Sequence, residues 1–283
     1  MTIIEAIFLG ILQGLTEFLP ISSTGHLTVA GKLMGLIDDP AAAQWWTAFI
    51  AVTQLGTLLA ILIYFWKDLW NISVDFLTDN IFKRKKFSEQ NFNSKLGWYI
   101  ILGTIPVVII GLGFKDIIEG AFTKDLRVIG ASLIGLGVLL ALSEKVGKFE
   151  KELKSIKMKD ALLIGLAQCL ALIPGSSRSG TTITAGLFLG LKRETAARFS
   201  FLLSVPAILG SGVLQFIQEY KNLDQSELTN LIIATIFAAI SGYLTIAFLL
   251  NFLKKHTTYL FVFYRIVIGV GIFILIWFNI IMP

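Results

Sequence analysis

Six apolar stretches, each long enough to cross a lipid bilayer, constrain the fold of this 283-residue chain more than any other feature. A transmembrane helix needs about 20 mostly apolar residues. The stretches are residues 48–66, 97–114, 127–143, 199–218, 230–253 and 259–282. Hydrophobic residues make up 55% of the chain and charged residues 15%, whereas about 25% of a typical soluble domain is charged. The sequence therefore predicts an all-α polytopic membrane protein and excludes a typical cytosolic enzyme.

Two further apolar regions, residues 2–36 and 160–191, are each interrupted by a polar turn. The first turn begins at Pro20 and reads Pro-Ile-Ser-Ser-Thr-Gly, and the second begins at Pro174 and reads Pro-Gly-Ser-Ser-Arg-Ser-Gly. The apolar arm after each turn makes roughly 16 Å of helix, which is too short for a hydrocarbon core of about 30 Å. Polar backbone at membrane depth is tolerated only where protein or water satisfies it. Both regions are therefore predicted to be re-entrant helix–loop–helix hairpins.

Basic loops predict the orientation of the spans. Runs of Lys and Arg at residues 83–86, 145–159 and 254–256 are placed in the cytoplasm by the positive-inside rule, so the acidic segments 38–39 and 219–227 fall outside. On this path both termini lie outside, and each half of the chain holds one hairpin and three spans. The prediction is a single transmembrane domain made of two inverted repeats, about 1–143 and 160–283, joined by a basic cytoplasmic loop, 144–159.

Matching residues recur between the two halves. Gly10 and Gln13 recur 155 residues later, and Pro20, Ser22 and Ser23 recur 154 residues later; the partners are Gly165, Gln168, Pro174, Ser176 and Ser177. Inverted repeats with broken helices place a binding site near the membrane midplane, where the two breaks meet. The functional site is therefore expected at the two polar turns.

The composition of these turns predicts a receptor for phosphate. Each outgoing half-helix begins at a hydroxyl-rich turn, where free N–H groups and the positive end of the helix dipole favour an anion. Arg178 adds a planar guanidinium suited to phosphate oxygens. The candidate phosphate-binding residues are Arg178, Ser177, Ser176, Thr24 and Ser179.

Three residues of the first hairpin are candidates for catalysis: Glu17, Ser23 and His26. Ser23 and His26 lie three apart at the start of a helix and can share a face, and a hydroxyl beside a histidine and a carboxylate suits nucleophilic catalysis. Glu17, with Gln13 one turn earlier, could instead hold a divalent cation shared with the phosphates. Simpler roles stay open, since serines in such turns also cap helices and Glu17 could merely pair with Arg178.

Three residues are secondary candidates for the pocket: Gln13, Gln54 and Thr182. Gln54 lies in the first span and either lines the pocket or bonds a neighbouring helix.

The motifs around these residues resemble those of the bacterial undecaprenyl-diphosphate phosphatases of the bacitracin-resistance type. The segment from Gln13 to His26 is similar to the glutamate-rich first motif of that family, and the segment from Pro174 to Thr182 is similar to its second motif. The resemblance covers essentially the whole chain. The first motif of the family admits Glu or Gln at its first acidic position, so Gln13 leaves Glu17 as the sole carboxylate of the motif here.

The resemblance implies a hydrolase of the bacterial cytoplasmic (inner) membrane. It would convert the C55 isoprenyl diphosphate to the monophosphate and inorganic phosphate at the outer face, recycle the carrier for cell-wall synthesis and give bacitracin resistance. By position, Glu17, Ser23, His26 and Arg178 match the residues that the family requires. Either Ser23 attacks the terminal phosphorus after His26 takes its proton, or a water activated by His26 attacks directly.

The implied cofactor is a divalent cation, Mg²⁺ or Ca²⁺, and the implied partners are undecaprenyl diphosphate and membrane lipids, without nucleic acid. A homodimer is compatible with the glycine-rich surfaces, but nothing in the sequence specifies it. The alternative function is a lipid-phosphate carrier or flippase that uses the same pocket, because paired inverted repeats are also transporter architecture.

Overall fold

The computed structural model describes residues 1–37, 40–114, 125–219 and 225–282. Within these ranges the fold is helical without a β-strand, and a single isolated bridge joins Lys151 to Leu191. The acidic pair at 38–39 and residues 220–224 of the predicted outer loop lie outside the described residues.

Eleven α-helices are described, and they are numbered here in chain order. They are α1 (Ile3–Phe18), α2 (Ser23–Leu33), α3 (Pro40–Tyr64), α4 (Trp66–Leu77), α5 (Phe92–Gly113), α6 (Leu126–Val146), α7 (Met158–Gln168), α8 (Arg178–Phe188), α9 (Arg193–Glu219), α10 (Gln225–Leu253) and α11 (Tyr259–Trp277). Shorter helical turns cover Thr78–Phe82, Phe87–Glu89, Leu153–Ser155 and Cys169–Leu172.

Six of the described helices, α3, α5, α6, α9, α10 and α11, are long and apolar enough to cross a bilayer. They coincide with the six predicted stretches, so this part of the prediction is confirmed. The ends differ: α9 begins at Arg193 rather than at residue 199, and α10 begins at Gln225 rather than at residue 230. Both helices continue beyond their apolar segment into charged or polar residues, which an apolar run cannot reveal.

Helix α4 was not predicted. The chain leaves the helical conformation at Phe65, and α4 then presents four exposed apolar side chains at helical spacing, Trp66, Trp70, Val74 and Leu77. The opposite side of α4 packs against α5 and buries Ile72. An apolar face on a short mixed helix, with exposed indole rings, is typical of a helix at a membrane interface.

Two close helix contacts position the hairpins, and both depend on glycine. A Cβ at Gly10 in α1 would lie 2.3 Å from the carbonyl oxygen of Ala234 in α10. A Cβ at Gly165 in α7 would lie 2.2 Å from the carbonyl oxygen of Gly103 in α5. Only glycine allows such an approach, so each incoming helix is fixed against a spanning helix at a repeated position.

The two polar turns end in matching serine caps. Ser22 precedes α2 with φ 77°, and its Oγ accepts a hydrogen bond from the Gly25 N–H at 3.2 Å. Ser177 precedes α8 with φ 68°, and its Oγ accepts from the Gly180 N–H at 3.1 Å. Positive φ is uncommon for serine and stores strain, which is often found at functional sites.

The caps correct the residue correspondence within the turns. The recurring residues of the sequence pair Ser22 with Ser176, whereas the cap geometry pairs Ser22 with Ser177. The second turn contains one more residue than the first, and its Gly175 has φ 84°. Ser23, the first residue of α2, therefore corresponds to Arg178, the first residue of α8.

Candidate active site

Glu17, in the last turn of α1, is the centre of the polar cluster. Its Oε1 accepts a hydrogen bond from Arg178 Nη2 at 2.7 Å. Its Oε2 accepts from Ser23 Oγ at 2.6 Å and from Gln13 Nε2 at 2.9 Å. The predicted residues Gln13, Glu17, Ser23 and Arg178 thus meet at one carboxylate, although the two turns are far apart in the sequence.

Three of the candidate residues each have a buried polar atom that lacks a partner among the described residues. These atoms are Nη1 of Arg178, Oγ of Ser176 and Oε1 of Gln13. Because buried polar atoms nearly always have a hydrogen-bonding partner, three such atoms in one region indicate a site for a polar ligand or water. A guanidinium that holds Glu17 through one nitrogen and leaves the other unused is able to bind an anion.

His26 faces α11 rather than Ser23. Its Nδ1 lies 2.7 Å from the carbonyl oxygen of Ser22, and its Nε2 lies 2.8 Å from the hydroxyl of Tyr264. A carbonyl only accepts, so the hydrogen bonds assign the proton to Nδ1 and make Nε2 the acceptor from Tyr264. No hydrogen bond between Ser23 and His26 occurs in the described part of the chain, because Ser23, at the start of α2, turns toward Glu17 in α1.

One serine of the second turn, Ser179, joins it to the first turn. Ser179 Oγ donates to the carbonyl oxygen of Leu19 at 3.0 Å and lies 3.1 Å from Ser177 Oγ. Ser177 caps α8, and Ser176 is fully buried. The predicted phosphate-binding serines therefore surround Arg178, with Ser179 also serving a structural contact.

The remaining predicted residues lie farther from Glu17 in the hydrogen-bond network. Thr182 is buried, and its Oγ1 donates to the carbonyl of Arg178 at 2.8 Å and contacts Ser200 Oγ at 2.6 Å. The half-buried Thr24 makes no side-chain hydrogen bond within the described ranges. Gln54, half-buried in α3, has no described hydrogen bond to the cluster.

Arg265, which lies in α11 next to Tyr264, was not among the residues predicted from the sequence. Arg265 is fully buried, and its guanidinium donates to backbone carbonyls of both turns and of α6. The sequence did contain a signal for Arg265, because an arginine inside an apolar span is a functional candidate by default. Tyr264 carried no comparable signal, since a tyrosine in a span is common and its contact with His26 joins residues far apart in the sequence.

The residues around Glu17 fit a divalent cation that would bind together with a phosphate. No group of three or more His, Cys, Asp or Glu side chains lies close enough for a metal site in the described part of the chain. However, Mg²⁺ is usually held by one or two carboxylates plus phosphate oxygens of the substrate. The unpartnered Oε1 of Gln13 is an oxygen ligand of the right kind beside the Glu17 carboxylate.

Comparison with known proteins gives the family. The family model described as bacitracin resistance protein BacA matches residues 6–271. A protein of Syntrophobacter fumaroxidans is 56% identical over 269 residues, which is 95% of either chain. Proteins of Chloroherpeton thalassium and Pelodictyon phaeoclathratiforme are 51% and 49% identical, covering 95% and 100% of this chain and the same shares of their own lengths. All three are named undecaprenyl-diphosphatase. This chain therefore belongs to the BacA bacitracin resistance protein family.

Proposed function

We propose that this chain is a membrane phosphatase that hydrolyses undecaprenyl diphosphate to the monophosphate and inorganic phosphate. Family membership and the name shared by the relatives supply the substrate and the reaction. The observation that carries the proposal is the Glu17 carboxylate, which binds Arg178 through one oxygen and Ser23 through the other. A cation for the phosphate and a hydroxyl nucleophile thus share one carboxylate.

The two helix–turn–helix units are proposed to be re-entrant hairpins in an inverted repeat. Helices α2 and α8 have 11 residues each, or roughly 16 Å, which is too short to span. In this repeat α1 corresponds to α7, and α5 corresponds to α10. The contacts Gly10–Ala234 and Gly165–Gly103 are then the same helix contact made twice, which supports the proposal. We propose that both termini and the entrance to the site lie on the outer face.

The diphosphate is proposed to bind between the N-termini of α2 and α8. The backbone N–H groups of Ser23, Thr24, Arg178 and Ser179 have no acceptor within the described ranges, as expected for the first turn of a helix. Arg178 would add its unused Nη1. Fixed donors aimed at phosphate oxygens supply most of the catalysis in phosphoryl transfer.

Ser23 is proposed to be the nucleophile and Glu17 its proton acceptor. When the diphosphate takes over Arg178, Oε1 of Glu17 is released, while Oε2 keeps the 2.6 Å contact across which it accepts the Ser23 proton. Ser23 Oγ then bonds to the terminal phosphorus, and the bond from that phosphorus to the bridging oxygen breaks, which releases the lipid monophosphate. The sequence predicted His26 as the acceptor of the Ser23 proton, whereas these contacts favour Glu17.

His26 is proposed to activate the water that hydrolyses the phosphoserine. Its Nε2 is a hydrogen-bond acceptor, so it can take a proton from water once the Tyr264 hydroxyl moves aside. In the competing mechanism the same water attacks the diphosphate directly and no phosphoserine forms.

A divalent cation, Mg²⁺ or Ca²⁺, is proposed to be held by Glu17 and by Oε1 of Gln13 together with the diphosphate. When bound, it would neutralise charge on the phosphates. Chelation with EDTA should then abolish phosphate release, and added Mg²⁺ or Ca²⁺ should restore it.

The deciding experiment measures inorganic phosphate released from C55 diphosphate by the purified protein in detergent with Mg²⁺. Wild type is compared with Ser23→Ala and His26→Ala, and with Ser211→Ala as the control, since Ser211 is an exposed serine in the spanning helix α9. We expect release to require Ser23 and His26 and to be unaffected by Ser211→Ala. A rapid quench with substrate labelled on its terminal phosphate should trap label on Ser23.

Two outcomes would count against this proposal. Full activity in Ser23→Ala, with no trapped label, would replace the nucleophile by water activated by His26. No release from folded wild type, with movement of lipid phosphate across vesicles intact, would replace the phosphatase by the carrier.

A further inference from the structure

Arg265 is the most fully hydrogen-bonded cation in the described part of the chain, although it has no carboxylate partner there. Its side chain is fully buried in the middle of the protein. Its Nε donates to the carbonyl oxygen of Leu133 at 3.0 Å. Its Nη1 donates to the carbonyl oxygens of Pro20 at 3.0 Å and Ser176 at 3.1 Å. Its Nη2 donates to the carbonyl oxygens of Ser132 at 3.2 Å, Gly175 at 3.2 Å and Ser176 at 3.1 Å. The acceptors belong to the first turn, the second turn and α6, so one side chain joins three parts of the chain.

All five N–H groups of the guanidinium are therefore used. Arg265 has no N–H left for a phosphate oxygen, so it differs from Arg178, whose Nη1 is unpartnered. A buried charge without an acidic partner is costly, and here only carbonyl dipoles compensate it. The contacts of Arg265 indicate that it is retained despite this cost because it holds the two turns in a defined geometry.

A single nitrogen, Nη1, binds both Pro20 O and Ser176 O and so fixes the distance between the two turns. The trans peptide places C=O and N–H on opposite sides. A Ser176 carbonyl held toward Arg265 thus directs the N–H of Ser177 away from it. That N–H has no acceptor among the described residues and precedes the free N–H groups of α8.

We infer that Arg265 is the positioning residue of the phosphate site: it fixes the two serine turns against each other so that their free N–H groups and Arg178 face one anion. The inference deepens the proposed function and rests on it for the identity of that anion. The role is indirect, because Arg265 acts through the backbone carbonyls of the turns and not through contact with the phosphate.

Arg265→Lys and Arg265→Met test the role, with Arg127→Met as the matched control because Arg127 is an exposed arginine paired with Asp125 on α6. Three quantities are measured per folded protein: kcat and KM for phosphate release, and the Kd of pyrophosphate by calorimetry, which requires no turnover. Lysine keeps the charge but cannot reach several carbonyls at once. We expect both Arg265 variants to weaken pyrophosphate binding by at least about tenfold and to lower kcat similarly, a loss of about 1.4 kcal/mol, with Arg127→Met unchanged.

A purely structural role would lower the melting temperature without changing the Kd or kcat of the folded fraction. A folded Arg265→Lys protein that binds pyrophosphate as wild type does would therefore overturn the inference. The pyrophosphate measurement also separates this inference from the proposed function: if wild type binds pyrophosphate through Arg265 but releases no phosphate from the lipid, only the proposed function fails.

A second variant covers the case in which neither Arg265 variant folds. A Cβ at Gly180 would lie 2.9 Å from Arg265 Nη1 and 3.1 Å from the Cβ of Ser177, so Gly180→Ala presses on the guanidinium and on the Ser177 cap without removing either. The control is Gly271→Ala on α11, where an added Cβ meets nothing within 4 Å. We expect Gly180→Ala to weaken pyrophosphate binding at least about threefold, less than loss of the guanidinium because the guanidinium is retained. Unchanged binding would overturn the inference.

Discussion

Replacing Glu17 by glutamine should damage both stability and catalysis. The carboxylate accepts hydrogen bonds from three donors, Arg178, Ser23 and Gln13. Glutamine keeps the shape but has one oxygen and one NH₂ group, so its NH₂ group faces either Arg178, which only donates, or Ser23 and Gln13, which must then reorient in order to accept. The buried guanidinium of Arg178 also loses its charge partner.

The size of the effect follows from burial. Breaking a buried ion pair costs about 3–5 kcal/mol because one charge is left uncompensated. The Arg178 side chain is 16% exposed and that of Glu17 is 5% exposed. We therefore expect Glu17→Gln to lower the free energy of unfolding by about 3 kcal/mol, the lower end of this range. Loss of the proton acceptor should also reduce kcat by about 10²–10⁴.

The assay combines thermal unfolding in detergent, followed by tryptophan fluorescence, with phosphate release. Glu5→Gln is the control on the same helix, because Glu5 lies in the first turn of α1 and its Oε2 accepts only from the backbone N–H of Thr2. A double-mutant cycle made of Glu17→Gln, Arg178→Met and the double variant isolates the interaction between Glu17 and Arg178, and its coupling energy should be about 2–3 kcal/mol. A wild-type melting temperature in Glu17→Gln would refute the reasoning. So would stability losses of the two single variants that add up to the loss of the double variant.

Three further predictions concern the metal, the helix contacts and the caps. Gln13→Glu places a second carboxylate beside Glu17. The Mg²⁺ concentration that gives half-maximal activity after EDTA treatment should therefore fall at least about threefold. An unchanged or higher concentration would count against a cation at this position. Gly165→Ala should lower the free energy of unfolding by about 1–3 kcal/mol because its Cβ would overlap the Gly103 carbonyl. The control Gly111→Ala, whose Cβ meets nothing within 4 Å, should leave the melting temperature unchanged. Equal melting temperatures for the two variants would contradict the close contact. Ser177→Ala should cost about 1–2 kcal/mol by loss of the cap, and Ser177→Gly should cost less because glycine tolerates the φ of 68°. A wild-type melting temperature in Ser177→Ala would contradict the role of the cap, and a lower melting temperature in Ser177→Gly than in Ser177→Ala would contradict the role of the positive φ.

Much of the fold could be predicted because apolar runs report membrane spans directly. The six spanning helices follow from such runs, and the two polar turns stand out against them. Helix α4 could not be found this way, since its apolar side chains are spread over one face of a mixed helix rather than forming a run.

The candidate site was predictable as residue types but not as contacts. Glu17 and Arg178 stood out because charges are rare in apolar segments, and the structure brings them together. Spacing alone favoured a Ser23–His26 pair, because residues three apart share a helix face. It could not show that Ser23 faces α1 and that His26 faces Tyr264, since those partners come from other helices.

In the proposed inverted repeat, the two halves contribute different chemistry at corresponding positions, and this asymmetry favours the hydrolase over the carrier. The first residue of α2 is Ser23, whereas the first residue of α8 is Arg178. The position in the second half that matches Glu17 is Leu172, in the short turn after α7. A carrier that presents one pocket to each side in turn needs binding groups from both halves, but it has no use for a hydroxyl held by a carboxylate in one half only. A hydrolase needs a single nucleophile with a single proton acceptor, and it can use the other half to bind and neutralise the phosphate.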